Sequence, residues 1–186
     1  MSFKDVEQLV KAIHDAPYKL VLEFAGAGSL ALYWLHSVAG SSRTILEASD
    51  RYSSESLQGR ISARPSKFVS TETALLMTER AYKRAVDLCP EGKMLLGVAC
   101  TATIATDREK RGEHGCVIAV QDLKRVSTFQ IILKKGTRDR QGEEELVSRL
   151  LIQAIAYACG LTAKVAINLA EGEIIREDTF ERPLSY

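Results

Sequence analysis

The chain has 186 residues, of which 46% are hydrophobic and 26% charged, with a formal net charge of +1. That is the balance of a globular domain with a core of its own. With basic and acidic residues intermixed, it argues against nucleic acid or an anionic membrane as the main partner. No segment reaches the ~18 apolar residues of a membrane span, and the polar start, Met1-Ser-Phe-Lys-Asp-Val-Glu, has no signal-peptide core. Cys89, Cys100, Cys116 and Cys159 are widely spaced in apolar surroundings, and His14, His36 and His114 keep no ligand spacing. The expectation is reduced thiols in a cytoplasmic protein with no metal and no cofactor.

In chain order, Val6, Leu9, Val10 and Ile13 recur at helical spacing over 5–16, with Asp5 or Ser2 as cap and Pro17 as the stop. The apolar run 20–24 predicts a buried strand. A turn follows, Gly26-Ala27-Gly28-Ser29, and then a helix with Leu30, Ala31, Trp34, Leu35 and Val38. That helix is apolar on most sides and so lies buried on a sheet or against a partner. A second turn, Ala39-Gly40-Ser41-Ser42, leads to a short strand at 44–48. A strand, a glycine turn and a helix N-terminus form an arrangement that suits a phosphate or another anion. The same glycines also serve a tight turn with no ligand.

The polar stretch 50–56 opens a weak helix over 54–61. Ser70 caps a strong helix to about 88, with Leu75, Leu76, Ala81, Tyr82, Ala85 and Val86 as its buried face. The continuous apolar run 94–101 predicts a central strand covered on both sides. The charged excursion 107–114 reads as a solvated loop. Runs 116–121 and 126–133 form an antiparallel hairpin. Glu143-Glu144-Glu145 opens the last long helix, which Gly160 ends. Residues 161–168 are apolar enough for a further strand, and 171–178 are acidic without period. The fold class is therefore α/β, a three-layer α/β/α domain with a mixed sheet. Residues 1–160 make the domain, and 161–186 an extra strand with an acidic tail or linker.

The ordered motifs resemble the CinA C-terminal family, whose active members are nicotinamide-mononucleotide amidohydrolases. The likeness runs over about 10–160. Ser37-Val38-Ala39-Gly40-Ser41-Ser42 is similar to the family's T-x-V-P-G-S-S, and Tyr52-Ser53-Ser54-Glu55-Ser56-Leu57 to Y-S-N-E-A-K. The run 96–106 with Gly115-Cys-Val-Ile-Ala-Val resembles T-G-I-A-G-P-x-G-G, a loop and G-T-V-x-x-A. The run 26–35 and Leu46-Glu-Ala resemble a divergent eukaryotic-type branch, in which a CinA-like domain precedes a nucleotidylyltransferase domain. No HxGH-type motif of that second domain is present here. The resemblance implies a nicotinamide nucleotide as ligand, homo-oligomers, and a nucleotidylyltransferase domain as partner.

The departures shape the functional expectation. The family's E-S-C-T-G-G falls on Phe24-Ala25-Gly26-Ala27-Gly28-Ser29, so its hydroxyl positions are Ala25 and Ala27. Its lysine position is Leu57, its glycine-proline-glycine loop has become 102–108, and either Cys100 or Thr101 covers its remaining threonine. Amide hydrolysis needs a nucleophile or activated water and a proton carrier. The expectation is a degenerate domain without amidohydrolase activity, keeping a nucleotide-sized pocket, an oligomer contact, or both. Ligand-binding candidates are Gly26, Gly28, Ser29, Tyr52, Ser53, Glu55, Cys100, Thr101 and Thr103. One alternative is an active enzyme with Ser29 or Thr101 as nucleophile, Tyr52 or Glu55 assisting, and N–H groups of Gly26 and Gly28 holding an oxyanion. Another is a purely structural module that packs Tyr33 and Trp34 on a second copy. Arg108, Lys110, Arg111, Arg138 and Arg140 either reach a phosphate or face water.

Overall fold

The computed structural model describes residues 3–91, 94–107 and 111–182; the expectations for Ser2, Arg108 and Lys110 lie outside them. The first helix, α1 (Lys4–Asp15), leads to β1 (Lys19–Ala25), α2 (Ser29–Ser37), a one-turn α3 (Ser41–Thr44) and β2 (Ile45–Asp50). Then come α4 (Ser54–Ile61), α5 (Thr71–Leu88), β3 (Leu95–Thr103), β4 (His114–Gln121), β5 (Arg125–Leu133), α6 (Arg140–Ala158) and β6 (Arg176–Glu181). The strands form one sheet in the order β2-β1-β3-β4-β5-β6. β1 is parallel to β2 and β3, and the remaining pairs are antiparallel.

Alternation along the strands separates two helical layers. Leu20, Leu22, Phe24, Leu96, Val98, Cys100, Cys116, Ile118 and Val120 join the core under α1, α2 and α6. Val21, Ala25, Leu95, Ala99, Val117 and Ala119 face α4 and α5. Apolar side chains on both faces are what made these strands read as continuous runs. β2 lies on one side of β1 and β3 on the other, so right-handed crossovers send α2 to one face and α4–α5 to the opposite face. The mixed three-layer sheet expected from the sequence is the fold observed.

Several local expectations change. The buried stripe of α5 is small, with Ala74, Met77, Ala81 and Ala85, whereas Val86 is exposed. Small residues let this helix come close enough that a Cβ at Gly97 would lie 2.4 Å from the Thr78 carbonyl oxygen. At α6 the cap is Asp139, whose Oδ1 accepts the Gly142 N–H at 2.8 Å, and Glu143 is fully buried. Asp5 does not cap α1 through a side-chain bond from its start, since the N-cap is Phe3. Asp5 Oδ2 instead accepts Arg149 Nη1 at 2.9 Å and Ala166 N–H at 3.0 Å.

The strand expected at 161–168 does not form. That segment runs irregularly over α6, with its Val165 N–H on Gln153 Oε1 and its Ala166 N–H on Asp5. Side chains satisfy its backbone, so it needs no ladder. The added strand is β6, which pairs with β5 and is exposed at every position, so no hydrophobic period marks it. Among the described residues, no helix is long and apolar enough to cross a membrane.

Glu173 fastens this returning segment. Its carboxylate accepts Arg138 Nη1 and Nη2 at 2.8 and 2.7 Å, Ala170 N–H at 2.7 Å and Lys134 N–H at 2.8 Å. The Arg138 bonds, and after them the backbone donors, hold it down at about 2 against an ordinary 4.5. A depressed carboxylate contributes stability above its ordinary value and loses it as pH falls through the folded value. Glu173→Gln is therefore expected to cost about 2 kcal/mol at neutral pH, with the gap to wild type closing between pH 4.5 and about 2. Urea titrations across that range check this; a gap independent of pH would contradict it.

Candidate functional site

The chain leaves β1 towards one neighbour and later returns to the other side of it. The turn after β1 therefore stands at the switch point of the parallel strands, above their C-terminal ends, where ligands of open α/β sheets bind. Gly26 has φ +88°, and a Cβ there would lie 2.0 Å from the Ala102 carbonyl oxygen, so the turn rests directly on the end of β3. Gly28, at φ +115°, is the N-cap of α2.

The position that an external anion would take is filled by the chain itself. Glu144 Oε1, from α6, accepts Gly28 N–H at 3.0 Å, Leu30 N–H at 3.1 Å, the Ser29 hydroxyl at 3.0 Å and the Ser148 hydroxyl at 3.1 Å. A carboxylate satisfies the open amides of a helix N-terminus and complements its dipole. With four donors on it, this oxygen holds the turn and is poorly placed to take a proton from Ser29. Asp50 ends β2 nearby, and burial together with the Glu144 charge pushes its carboxyl up. Two carboxylates on this side make it hostile to a phosphate.

On the α4–α5 side, Ala25 stands opposite Thr101 in the β1–β3 register. Ala25, Leu57, Ile61, Met77 and Ala99 form one buried apolar cluster. The two positions matched to the family's serine and lysine are thus brought together, as an alanine and a leucine. Thr101 is 1% exposed and donates its hydroxyl to the Phe68 carbonyl at 2.7 Å. Cys100 faces the opposite layer, where a hydrogen bond with the Cys116 thiol and burial push its own thiol well up. Of the two candidates for the threonine position, only Thr101 shares the face of Ala25. Tyr52 is exposed, Ser53 caps α4 by accepting the Ser56 N–H at 3.1 Å, and Glu55 accepts the Ser54 hydroxyl at 2.9 Å. These three residues build the start of a helix.

Beyond Thr101 on the same face lies a cavity of about 600 Å³, lined by Lys67, Phe68, Thr103, Arg111, His114 and Gln130 among others. It is the open space at the C-terminal end of β3. A second cavity, of about 630 Å³, lies at the other end of the parallel strands, beside Tyr18, Leu95 and Asp122. The strand-end rule favours the first. Lys67 and Arg111 line it, and among the described residues neither side chain has an ion-pair partner. Phe68 is 38% exposed at its edge. Of the residues singled out from the sequence, Thr103 and Arg111 reach this cavity. Arg138 is held by Glu173, and Arg140 donates to the Ala105 carbonyl at 2.9 Å.

Sequence reasoning missed one pair. His114 Nδ1 lies 3.0 Å from Glu143 Oε1, and Glu143 Oε2 accepts the Ala105 N–H at 2.6 Å. A carboxylate accepts, so Nδ1 carries the proton of this bond and the imidazole is held in one orientation. The partners are 29 residues apart, in a run read as a solvated loop and in a helix start read as a dipole partner. The signals were a histidine beside an apolar strand and an acid in a helix's first turn. Among the described residues, no group of three His, Cys, Asp or Glu is placed to hold a metal ion.

No protein-family model and no curated protein matches the sequence. The fold does match solved structures. A competence/damage inducible protein, CihA, from Agrobacterium tumefaciens shares 19% identity at a TM-score of 0.56, covering 84% of this chain and 92% of that one. A CinA superfamily protein from Klebsiella pneumoniae shares 13% at 0.61, covering 84% and 96%. A CinA superfamily protein from Escherichia coli shares 16% at 0.53, covering 86% and 90%. At such identities the likeness is one of fold: the chain has a CinA-like fold.

Glu144→Ala strips the acceptor from Gly28 and Leu30, and is expected to cost about 1–2 kcal/mol. It also empties the cradle, so sulfate should stabilise this variant by more than it stabilises wild type. Chemical denaturation with and without sulfate checks both. An unchanged stability would contradict the role given to Glu144.

Proposed function

We propose that this chain is a CinA-like domain without amidohydrolase activity that binds an anionic ligand of nucleotide size in the cavity beside Phe68, Lys67 and Arg111. The observation that carries the reading is the buried contact cluster of Ala25 and Leu57. Where the resemblance places a nucleophilic hydroxyl and a lysine, two side chains with no lone pair and no exchangeable proton pack together, and neither step of acyl transfer has a carrier. The alternatives for the nucleophile are both engaged: Ser29 donates to Glu144, and Thr101 to the Phe68 carbonyl. The link to pyridine-nucleotide metabolism, and a nicotinamide nucleotide as ligand, rest on the sequence resemblance to the CinA C-terminal family.

A role in assembly with a second copy, or with a nucleotidylyltransferase domain, is compatible with this reading. As a purely structural module the chain has less support. Trp34 is 6% exposed and packs within the chain on Phe3, with ring centroids 6.5 Å apart, and under Arg149 at 5.9 Å. That leaves Tyr33, 63% exposed, as the aromatic that α2 offers outward.

Purified protein incubated with nicotinamide mononucleotide is expected to release no ammonia above the buffer rate. The same ligand should stabilise the fold by RT ln(1 + [L]/Kd), about 2.7 kcal/mol at a hundredfold excess over Kd. Ammonia release that Ser29→Ala or Thr101→Val abolishes would overturn the silent-domain reading. Absence of any thermal stabilisation by nicotinamide mononucleotide, NAD, ADP-ribose or ATP would overturn the pocket.

A further inference from the structure

The cavity beside Lys67 and Arg111 has a neutral polar group in its floor, the carboxamide of Gln130. Three neighbouring strands build that floor. Thr101, Val117 and Gln130 form one row across β3, β4 and β5, and Thr103, Gly115 and Ile132 form the next row towards the end of β3. Residues opposite one another in a sheet point to one face. Val117 packs against Ala74 of α5, so both rows face the α4–α5 side. The second row is bare in its middle. A Cβ at Gly115 would lie 2.2 Å from the Ile131 carbonyl oxygen, and without one a strip of backbone is left open between Thr103 and Ile132. These two stand two strand spacings apart, roughly 10 Å, which is room for a flat ring lying on the strand. At the inner corner of the strip Gln130 is half-buried, and among the described residues its amide makes no hydrogen bond. Thr101, in the same row, is by contrast already bonded to the Phe68 carbonyl. At the outer end Arg111 precedes the start of β4.

We propose that Gln130 selects the ring of the ligand: a flat heterocycle that presents a hydrogen-bond donor and an acceptor side by side, seated ring-inward on the Gly115 strip with its anionic end towards Arg111 and Lys67. The proposal rests on the cavity being the ligand site and adds the orientation and the chemistry of the inner end. In the free protein, water satisfies the Gln130 amide. A ring that covers it displaces that water and must replace both an acceptor and a donor, or leave the amide unpaired at a cost in affinity. A primary carboxamide does so, as does a ring amino group next to a ring nitrogen: Gln130 Oε1 accepts from the amino group, and Nε2 donates to the carbonyl oxygen or the ring nitrogen. A carboxylate at the same place has no donor, and sets oxygen against oxygen at Oε1. A site built to pair such an edge rejects the analogue that lacks it more strongly than an apolar pocket rejects a change of size. The side chains of Ile132 and Phe68 beside the strip are apolar and aromatic, and suit the body of the ring.

The experiment is calorimetric titration of the full chain at neutral pH with four probes: nicotinamide mononucleotide, which has the carboxamide; adenosine monophosphate, which has the amino group beside a ring nitrogen; nicotinic acid mononucleotide, which has the carboxylate; and ribose 5-phosphate, which has no ring edge. Wild type is expected to bind one or both of the first two about tenfold more tightly than the last two. Gln130→Met, close to glutamine in length but without the amide, should lose about that factor for the preferred nucleotide and bind ribose 5-phosphate as wild type does. The nucleotide that loses more is the one whose edge Gln130 reads. Arg111→Ala should weaken all four probes by a similar factor. The side-chain amide signal of Gln130 in the wild-type protein gives a second readout that needs no variant: it should move with the preferred nucleotide and stay in place with ribose 5-phosphate. Full affinity in Gln130→Met, an equal loss for all four probes in that variant, or an amide signal unmoved by a bound nucleotide overturns the proposal and leaves the cavity as the ligand site. Failure of every probe to bind wild type, or binding that Arg111→Ala leaves unchanged, overturns the cavity reading and this proposal with it.

Discussion

A single oxygen, Glu144 Oε1, closes the N-terminus of α2, and much of the domain's layout depends on it. The turn after β1 must bend at the end of a central strand and start a helix at once, which leaves backbone donors pointing at one place. α6 crosses there and supplies the carboxylate. The bond ties three parts of the chain that are far apart in sequence, β1, α2 and α6, into one layer over the sheet. It also settles the electrostatics of that layer, because the place that attracts an anion already has one.

The two faces of the sheet are consequently unequal. On the α2–α6 side, Glu144 and Asp50 present negative charge at the strand ends. On the α4–α5 side, the strand ends carry Ala25 and Thr101, and then the cavity with Lys67, Phe68 and Arg111. The apolar cluster around Leu57 fills the ground between them. The positions that the sequence resemblance matches to reactive groups, Ala25 and Leu57, lie in this apolar cluster. The cavity proposed for the ligand is one strand further along, and its lining includes Lys67, Arg111 and Phe68. On the proposed reading binding and catalysis separate: electrostatic complementarity needs only the placed charges, whereas amide cleavage needs a nucleophile and a proton carrier.

The layered fold was legible because its main signals are local. The glycine turn at 26–28, the apolar runs of β1, β3 and β4, and the Ser70 cap all act over a few residues, and the architecture follows from their order. What escaped has one physical cause in common. β6 is exposed along its whole length and carries no period. The segment 161–175 replaces ladder bonds by side-chain bonds from Gln153, Asp5 and Glu173. At the site, Gly26, Gly28, Ser29 and Thr103 stood out by their neighbours in sequence. Glu144 and Glu143 read as ordinary acids at a helix start, and only their partners 114 to 116 and 29 residues away give them their roles. That Thr101 and not Cys100 shares the face of Ala25 follows from strand register, which no short motif contains.

The account turns on which side of the sheet receives a ligand. The most direct measurement is an amide chemical-shift titration of the protein with nicotinamide mononucleotide. Perturbations should gather at Phe68, Thr103, Gly112 and Gly115, around the cavity, and leave Gly28 and Leu30 unmoved under the Glu144 carboxylate. Shifts centred on Gly28, Ser29 and Leu30 would contradict it, because they would mean that the ligand displaces Glu144 and takes the cradle itself.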